Sequence, residues 1–321
     1  MKAARWVGLG RVECAEVPVP AVADGEILVR TAYTSICGSD LHSVFGGAPP
    51  ERSPAGFPGH ESVGEVVESR CPGFGPGDRV LAVPHYDDAR GMAEFQALPG
   101  SACVRLPATG ELSHLLMAQQ LGTVAFALRY HPLDIVGRDV AIIGQGSAGA
   151  FFTFLLKRAG AARALVSDLS PARLAYSRQL GADLAVDAGT TDFAAAVREA
   201  TGGQGAGLVV EAVGSRATFP LSVQVAAPGA TILWFGLPEG AEDYPFSFTT
   251  FFRRKLTAYS TYDAQGEPGL ESFRYAVRMI IDGAIDVAPL LSHMLPIEKV
   301  GEAYRMAHDR TDGALKVSIR F

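Results

Sequence analysis

Two short clusters in the first part of the chain combine the residue types that bind zinc. Cys37–His42, CGSDLH, supplies a cysteine and a histidine, and Gly59–Gly64, GHESVG, supplies a histidine and a glutamate. Thiolate, imidazole and carboxylate are the groups that zinc prefers, and a catalytic zinc needs three protein ligands plus an open position. A lone cysteine or histidine is more often a packed or loop residue. Two such clusters beside a nucleotide-binding motif instead predict a metal site that activates an oxygen.

That nucleotide-binding motif is the glycine-rich turn Gly144–Gly149, GQGSAG. It follows the β-branched run Asp139–Ile143, a predicted strand, and opens the apolar segment Ser147–Arg158, a predicted helix. Glycines at these spacings allow a tight turn and a close approach of backbone to a pyrophosphate at the helix N-terminus. Asp168 ends the next strand at the spacing of a carboxylate that binds the adenosine ribose. Because a carboxylate repels a 2′-phosphate, the sequence predicts NAD rather than NADP.

The predicted elements change character along the chain. Up to about Arg105, short strands rich in Val, Ile and Thr alternate with Pro and Gly clusters, which indicates a β-rich, barrel-like domain. The predicted strands there are Val12–Val17, Glu26–Thr34, Ser62–Glu68, Arg79–Val83 and Ala93–Ala97. A helical segment, Leu115–Arg129, leads into strands that alternate with helices, which is typical of a doubly wound parallel sheet. The expected class is therefore α/β with a second, β-rich domain.

Composition limits the classes of function. The chain has 321 residues, 48% of them hydrophobic, and a net charge of −6 without a basic stripe, which argues against nucleic acid as a partner. We expect no signal peptide and no membrane span, because no segment has the required pattern. Four cysteines without C-x-x-C spacing indicate reduced thiols, so a cytoplasmic location is expected.

With these motifs together, the sequence resembles the medium-chain dehydrogenase/reductase family, in its zinc-dependent alcohol and sorbitol dehydrogenase branch. Gly77–Val80, GDRV, and Leu295–Tyr304, LPIEKVGEAY, strengthen the resemblance, which covers nearly the whole chain. It implies a Rossmann dinucleotide-binding domain at 121–262 and a GroES-like catalytic domain formed by 1–120 plus 263–321. It also suggests a homodimer through an edge strand, either Ala230–Phe235 or Leu256–Ser260.

The resemblance implies a role for each residue of the two clusters. Cys37 and His60 would bind one catalytic zinc, with Glu61 as a carboxylate in or near the ligand set. Ser39 would contact the substrate oxygen, and His42 would lie further along a proton relay. The reaction implied is the reversible oxidation of an alcohol to a ketone or aldehyde, in which zinc acts as a Lewis acid and a hydride passes to the nicotinamide.

Coenzyme contacts are expected from the glycine motif and from residues that the resemblance places near the coenzyme, including a threonine at position 123. The full set is Thr123, Gly144, Gly146, Ser147, Ala148, Gly149, Asp168, Arg173, Val213, Phe235, Gly236 and Leu237, with Tyr262 near the nicotinamide.

The sequence departs from the family pattern at two places. Only Pro84–Arg90 stands where larger members carry a four-cysteine zinc loop, so we expect no structural zinc. The family's further ligand, a Cys, Asp or Glu, falls on Gln119 by its spacing to Thr123. An amide oxygen is a poorer zinc ligand than a carboxylate or thiolate, which favours Glu61 as the third ligand. Gln119 would then hydrogen-bond a zinc-bound water from outside the ligand set. Cys37 and Glu61 would then neutralise Zn²⁺. A weakened or absent metal is the competing interpretation.

Two other functions stay open at the level of sequence. One is a zinc-free reductase of the same family that acts on an enone or quinone, and the other is a non-catalytic NAD(H)-binding redox sensor. The proton-relay pair of Ser39 and His42 argues against a sensor. Polar residues at His85 and Tyr86, which the resemblance places at the pocket mouth after Pro84, favour a hydroxylated substrate such as a polyol or aminocyclitol.

Overall fold

A computed structural model of the chain describes residues 1–47, 53–240 and 243–321. They form two compact units, one of Met1–Thr123 with Asp263–Phe321 and the other of Val124–Tyr262. The strands in chain order are β1 (Lys2–Gly8), β2 (Arg11–Glu16), β3 (Glu26–Ser35), β4 (Ser62–Ser69), β5 (Arg79–Ala82), β6 (Phe95–Pro99), β7 (Cys103–Arg105), β8 (Asp139–Ile143), β9 (Arg163–Asp168), β10 (Leu184–Asp187), β11 (Ala206–Glu211), β12 (Ala226–Trp234), β13 (Thr257–Ser260), β14 (His293–Pro296) and β15 (Val317–Arg320). The α-helices are α1 (Gly38–Gly46), α2 (Leu112–Leu115), α3 (Ala118–Tyr130), α4 (Ser147–Arg158), α5 (Pro171–Gln179), α6 (Phe193–Ala200), α7 (Thr218–Val225), α8 (Phe248–Arg253), α9 (Glu271–Ile281) and α10 (Val300–Asp309).

The first unit is built around a mostly antiparallel sheet in the order β14-β15-β3-β4-β5-β7, with β6 paired to β3 and a separate β1-β2 pair. Strand β3 is central, and its far end is flanked on both sides: Ser35 pairs with Ser318 of β15, and Thr34 pairs with Ser62 of β4. Segments from the two ends of the chain therefore meet beside Ser35. The residues just before β4 and just before β15 become neighbours for the same reason.

The second unit is a six-stranded parallel sheet in the order β10-β9-β8-β11-β12-β13. Because the strand order reverses between β8 and β11, their carboxyl ends flank the crevice where doubly wound folds bind nucleotides. The buried strand residues, such as Val140, Ile142, Leu208 and Val210, explain why these segments read as continuous apolar runs. The glycine motif follows β8 directly, so it lies at this crevice.

The predicted fold class is confirmed: a β-rich unit accompanies a doubly wound parallel sheet. The strand before the glycine motif and the helix after it have the predicted bounds, Asp139–Ile143 and Ser147–Arg158. The predicted strand Ala93–Ala97 was wrong by two residues, since β6 is Phe95–Pro99. The predicted helix Leu115–Arg129 is in fact two helices, α2 and α3.

Helix α1 was not predicted, although it begins within Cys37–His42, one of the two clusters predicted to bind zinc. It starts after Cys37, which is not a usual N-cap residue, and Gly38 follows as a poor helix former. The helix start is completed by Asp40, whose carboxylate accepts the backbone N–H of Cys37 at 2.9 Å. Strands β1, β7 and β14 were also missed. None of the helices in the described part of the chain has the length and apolar character needed to cross a bilayer.

Candidate active site

The first unit brings three of the predicted ligands into one buried cluster. Cys37, His60 and Glu61 each offer a ligand atom, and these atoms lie within 4.8 Å of one another. Cys37 caps helix α1, whereas His60 and Glu61 immediately precede β4, so the cluster joins two separate segments. The side chains of His60 and Glu61 are buried. This spacing suits a single ion held by all three residues.

Asp40 positions two of these residues. Its Oδ2 accepts the Cys37 backbone N–H, and its Oδ1 lies 3.2 Å from Nδ1 of His60. A carboxylate on one ring nitrogen leaves Nε2 available to a metal, which is the usual arrangement around a zinc-bound histidine. Burial alone would disfavour the imidazolium, but Asp40 and Cys37 raise the pKa of His60 well above its ordinary value. Asp40 lies inside a motif that was noticed in the sequence, but it was given no role there.

Glu61 is held by a buried lysine from the end of the chain. The Nζ of Lys316 lies 2.6 Å from Oε2 of Glu61, with side chains only 3% and 1% exposed, and the Ser35 hydroxyl donates to the same oxygen. Burial alone would raise the pKa of Glu61, but Lys316 lowers it, so the carboxylate is ionised at neutral pH. Its other oxygen, Oε1, has no hydrogen-bond partner among the described residues. Glu61 can therefore offer Oε1 to a cation without losing the lysine.

The predicted charge balance of the metal site was incomplete. The negative charges of Cys37 and Glu61 alone cannot neutralise a divalent ion, because Lys316 already neutralises Glu61. Asp40 completes the balance. In a metal-bound cluster the Cys37 thiol would be deprotonated and the His60 imidazole neutral. Cys37, Glu61 and Asp40 would then supply three negative charges and Lys316 one positive charge, and the two negative charges that remain would match a divalent cation. The residues present therefore fit zinc.

The other predicted residues of the first unit have differing support. Gln119 is buried in the first turn of α3, and its Nε2 lacks a hydrogen-bond partner among the described residues. Ser39 and His42 lie on α1. The ring of Tyr86 meets that of His60 edge-on at 5.4 Å, and its hydroxyl lies 2.8 Å from the Ser43 hydroxyl. Burial raises the pKa of Tyr86, so this wall of the site stays neutral.

In the second unit the glycine motif has the geometry that a dinucleotide needs. Gly144 adopts φ +88°, and a Cβ on Gly149 would overlap the carbonyl oxygen of Gly144. Gly146 caps α4 without a side chain, so the first N–H groups of the helix can bind an anion. Asp168 ends β9 beside the turn: its Oδ2 accepts the backbone N–H of Gln145 at 2.7 Å, and its Oδ1 accepts that of Ser170 at 2.8 Å.

Most of the other predicted coenzyme residues lie at the same edge of this sheet. The guanidinium of Arg173 is 3.9 Å from Asp168, and Val213 packs against Gly144. The loop Phe235–Leu237 contacts Gly214, and two of its N–H groups donate to the Glu211 carbonyl. Ser147 and Ala148 form the buried first turn of α4. Tyr262 is largely exposed, and the Thr123 hydroxyl donates to the Gln119 carbonyl within α3. Neither residue makes a contact that indicates a nucleotide site.

Comparisons with known proteins agree with both units. Residues 23–124 match the alcohol dehydrogenase GroES-like domain, and residues 148–280 match the zinc-binding dehydrogenase domain. An alcohol dehydrogenase of Cupriavidus necator is 27% identical over 100% of this chain and 98% of its own length. The structure of an alcohol dehydrogenase from Thermus sp. ATN1 superposes with a TM-score of 0.85 at 26% identity, covering 100% of this chain and 99% of the other. A putative zinc-binding dehydrogenase from Sinorhizobium meliloti, bound to NADP, shares the fold with a TM-score of 0.87 at 22% identity, with 100% and 99% covered.

A GroES-like unit with a cysteine–histidine–glutamate cluster, followed by a dinucleotide fold, defines the class of zinc-type alcohol oxidoreductases. The chain belongs to the zinc-type medium-chain dehydrogenase family, and it is an enzyme of the alcohol dehydrogenase type. The family and the enzyme class inferred from the sequence are thus confirmed.

Proposed function

We propose that this enzyme interconverts a secondary alcohol and a ketone by hydride transfer with NAD(H), using one catalytic zinc and no structural zinc. The observation that carries the proposal is the buried Cys37–His60–Glu61 cluster, with an unpartnered Glu61 oxygen and a net charge suited to a divalent ion. Cys37, His60 and Glu61 would hold the metal. When bound, zinc supplies Lewis acidity at the alcohol oxygen.

The other residues of the first unit would manage the proton and the substrate. As the substrate hydroxyl gives its proton to the Ser39 oxygen, Ser39 would release its own proton along the relay. His42 would pass a proton to solvent, since an imidazole exchanges protons near neutral pH. Asp40 and Lys316 hold His60 and Glu61 in place. Gln119, a buried amide, contributes a hydrogen bond from outside the ligand set. The exposed pair of His85 and Asp263, 2.8 Å apart, supports a hydroxylated substrate such as a polyol or aminocyclitol, because both groups bind hydroxyls.

Chelation tests the metal part of the proposal. Dialysis against a strong chelator should abolish NAD-linked oxidation in an alcohol screen, and added Zn²⁺ should restore it with about one equivalent bound. Metal content by elemental analysis is measured on the same samples. A zinc-free reductase, the alternative that the amide at Gln119 favours, would keep its full activity on an enone or quinone after chelation. A redox sensor would bind NADH and oxidise no alcohol.

The choice of NAD is tested at Asp168. Asp168→Asn removes the charge that repels a 2′-phosphate while keeping the side chain's shape, so the ratio of kcat/KM for NADP to that for NAD should rise about tenfold or more. Asp187→Asn is the matched control, because Asp187 ends the neighbouring strand β10 and also accepts a backbone N–H, that of Gly189. An unchanged ratio in Asp168→Asn would contradict the assignment. The homodimer and the cytoplasmic location stay predictions. Of the two strands predicted for the dimer edge, Ala230–Phe235 was wrong, because β12 is paired on both sides, whereas β13 lies at the edge of the sheet.

A further inference from the structure

The second residue of the glycine motif, Gln145, has a completely buried side-chain amide. Its side chain is 1% exposed, and it makes three hydrogen bonds. Nε2 donates to the carbonyl of Gly144 at 2.8 Å, and Oε1 accepts the hydroxyls of Thr153 at 2.9 Å and Ser177 at 2.6 Å. A dinucleotide turn requires glycines at its spaced positions, but it requires no amide between them. A buried amide is costly unless it is fully bonded, so this one needs a reason.

The orientation of the amide is determined by its partners. The Gly144 carbonyl can only accept, so the nitrogen must face it and the oxygen must face the two hydroxyls. Those hydroxyls also lie near the helix carbonyls of Gly149 and Arg173, at 3.0 Å and 2.9 Å. These carbonyls already accept helical N–H groups, so each hydroxyl can turn its single proton to Oε1.

The network joins the glycine turn to two helices and to Asp168. Thr153 is on α4, Ser177 is on α5, and the backbone N–H of Gln145 itself donates to Asp168 at the end of β9. The Gly144 carbonyl, which the amide holds, is the atom against which Gly149 packs too closely for any Cβ. One residue therefore ties the turn, two helices and the ribose-binding carboxylate together.

We propose that Gln145 is a positioning residue that holds the glycine turn and the Asp168 carboxylate in the conformation that receives the adenosine diphosphate half of the coenzyme. A turn that is already ordered loses less conformational entropy on binding, so the network raises affinity without touching the ligand. This inference rests on the proposed function, because it needs the site to bind a nicotinamide dinucleotide.

Binding measurements on the zinc-loaded enzyme test the inference. Gln145→Met keeps the length of the side chain and removes the amide, so the Kd for NADH, followed by fluorescence, should rise roughly tenfold. The Kd for ADP-ribose, which lacks the nicotinamide, should rise by the same factor. The kcat at saturating coenzyme should stay within about twofold, because the chemistry of the first unit is untouched. Ser177→Ala should weaken both ligands by a smaller factor, roughly threefold.

Ser222→Ala is the matched control. Ser222 is another fully buried helix serine of the second unit, and its hydroxyl accepts the indole N–H of Trp234 at 3.1 Å, away from the glycine turn. It should lower thermal stability about as much as Ser177→Ala and leave both Kd values unchanged. If Gln145→Met fails to fold, Ser177→Ala carries the test.

Two results would overturn the inference: wild-type affinity for ADP-ribose in both network variants, or equal weakening in Ser222→Ala. A wild-type enzyme that binds neither NADH nor ADP-ribose would instead overturn the proposed function. The two failures are therefore distinguishable.

Discussion

Cys37→Ser should lose its zinc and, with it, the oxidation of alcohols, while NADH binding stays intact. A serine hydroxyl is a far weaker zinc ligand than a thiolate. Changing a group that only supports a ligand already costs 10–100-fold in affinity or activity, so loss of a ligand should cost more than about 100-fold in each. Elemental analysis gives the zinc content, and kcat/KM at saturating NAD gives the activity. Because the dinucleotide motif lies wholly in the second unit, the Kd for NADH should change by less than about twofold.

Cys14→Ser supplies the control for this prediction. Cys14 is a partly buried cysteine of β2 in the same unit, outside the ligand cluster. The control should retain both zinc and activity, which separates metal loss from a general effect of removing sulfur. Stoichiometric zinc in Cys37→Ser, with more than half of the wild-type activity, would remove Cys37 from the ligand set and with it the proposed mechanism.

The coenzyme half of the molecule was predictable because its signals are local. The strand Asp139–Ile143, the turn and the helix Ser147–Arg158 are adjacent in sequence, and each obeys a short-range rule of period, turn or cap. Ser170, followed by Pro171, likewise begins α5 as its residue types indicate. Asp168 could be identified because it ends a predicted strand at the spacing expected after the glycine motif.

The supports of the metal cluster were not predictable in the same way. Lys316 meets Glu61 only because β15 and β4 pair with opposite sides of β3, and sheet register between distant segments is not encoded locally. The one available signal was Lys316, a lysine within the apolar terminal run LKVSI. The first three residues of β15 are all buried, so both faces of that strand are covered. An acidic residue such as Asp40 is a known signal near a helix start. The helix itself was not recognisable, because it begins with Cys37 and Gly38, which are not typical residues for a helix start.

Gln145 shows a third kind of limit. Its position between two glycines was evident, but its function depends on two hydroxyls, Thr153 and Ser177, on different helices. Their convergence follows from how α4 and α5 pack on the sheet, and no spacing rule describes it. Residues proposed to contact a ligand were therefore easier to identify from the sequence than residues that support them.

Lys316→Met should destabilise the first unit by about 3–5 kcal/mol, because it leaves the Glu61 carboxylate buried without a counter-charge. The free energy of unfolding, from denaturant titration of the metal-free protein, measures this loss. Lys316→Met combined with Glu61→Gln should recover a large part of it, since the unpaired charge is then gone. Lys316→Arg keeps a cation in place and should lose much less than Lys316→Met.

Lys299→Met is the control for the buried ion pair. Lys299 forms an exposed pair with Glu302 at 3.2 Å in the same unit, so the same substitution there should cost less than about 1 kcal/mol. If Lys316→Met and Lys299→Met cost the same, the Lys316–Glu61 pair contributes little to stability. That result would show that the Glu61 carboxylate does not depend on Lys316 for charge compensation. The part of the charge count that pairs these two residues would then fall, so the stability of one lysine variant tests that part of the argument for a divalent ion.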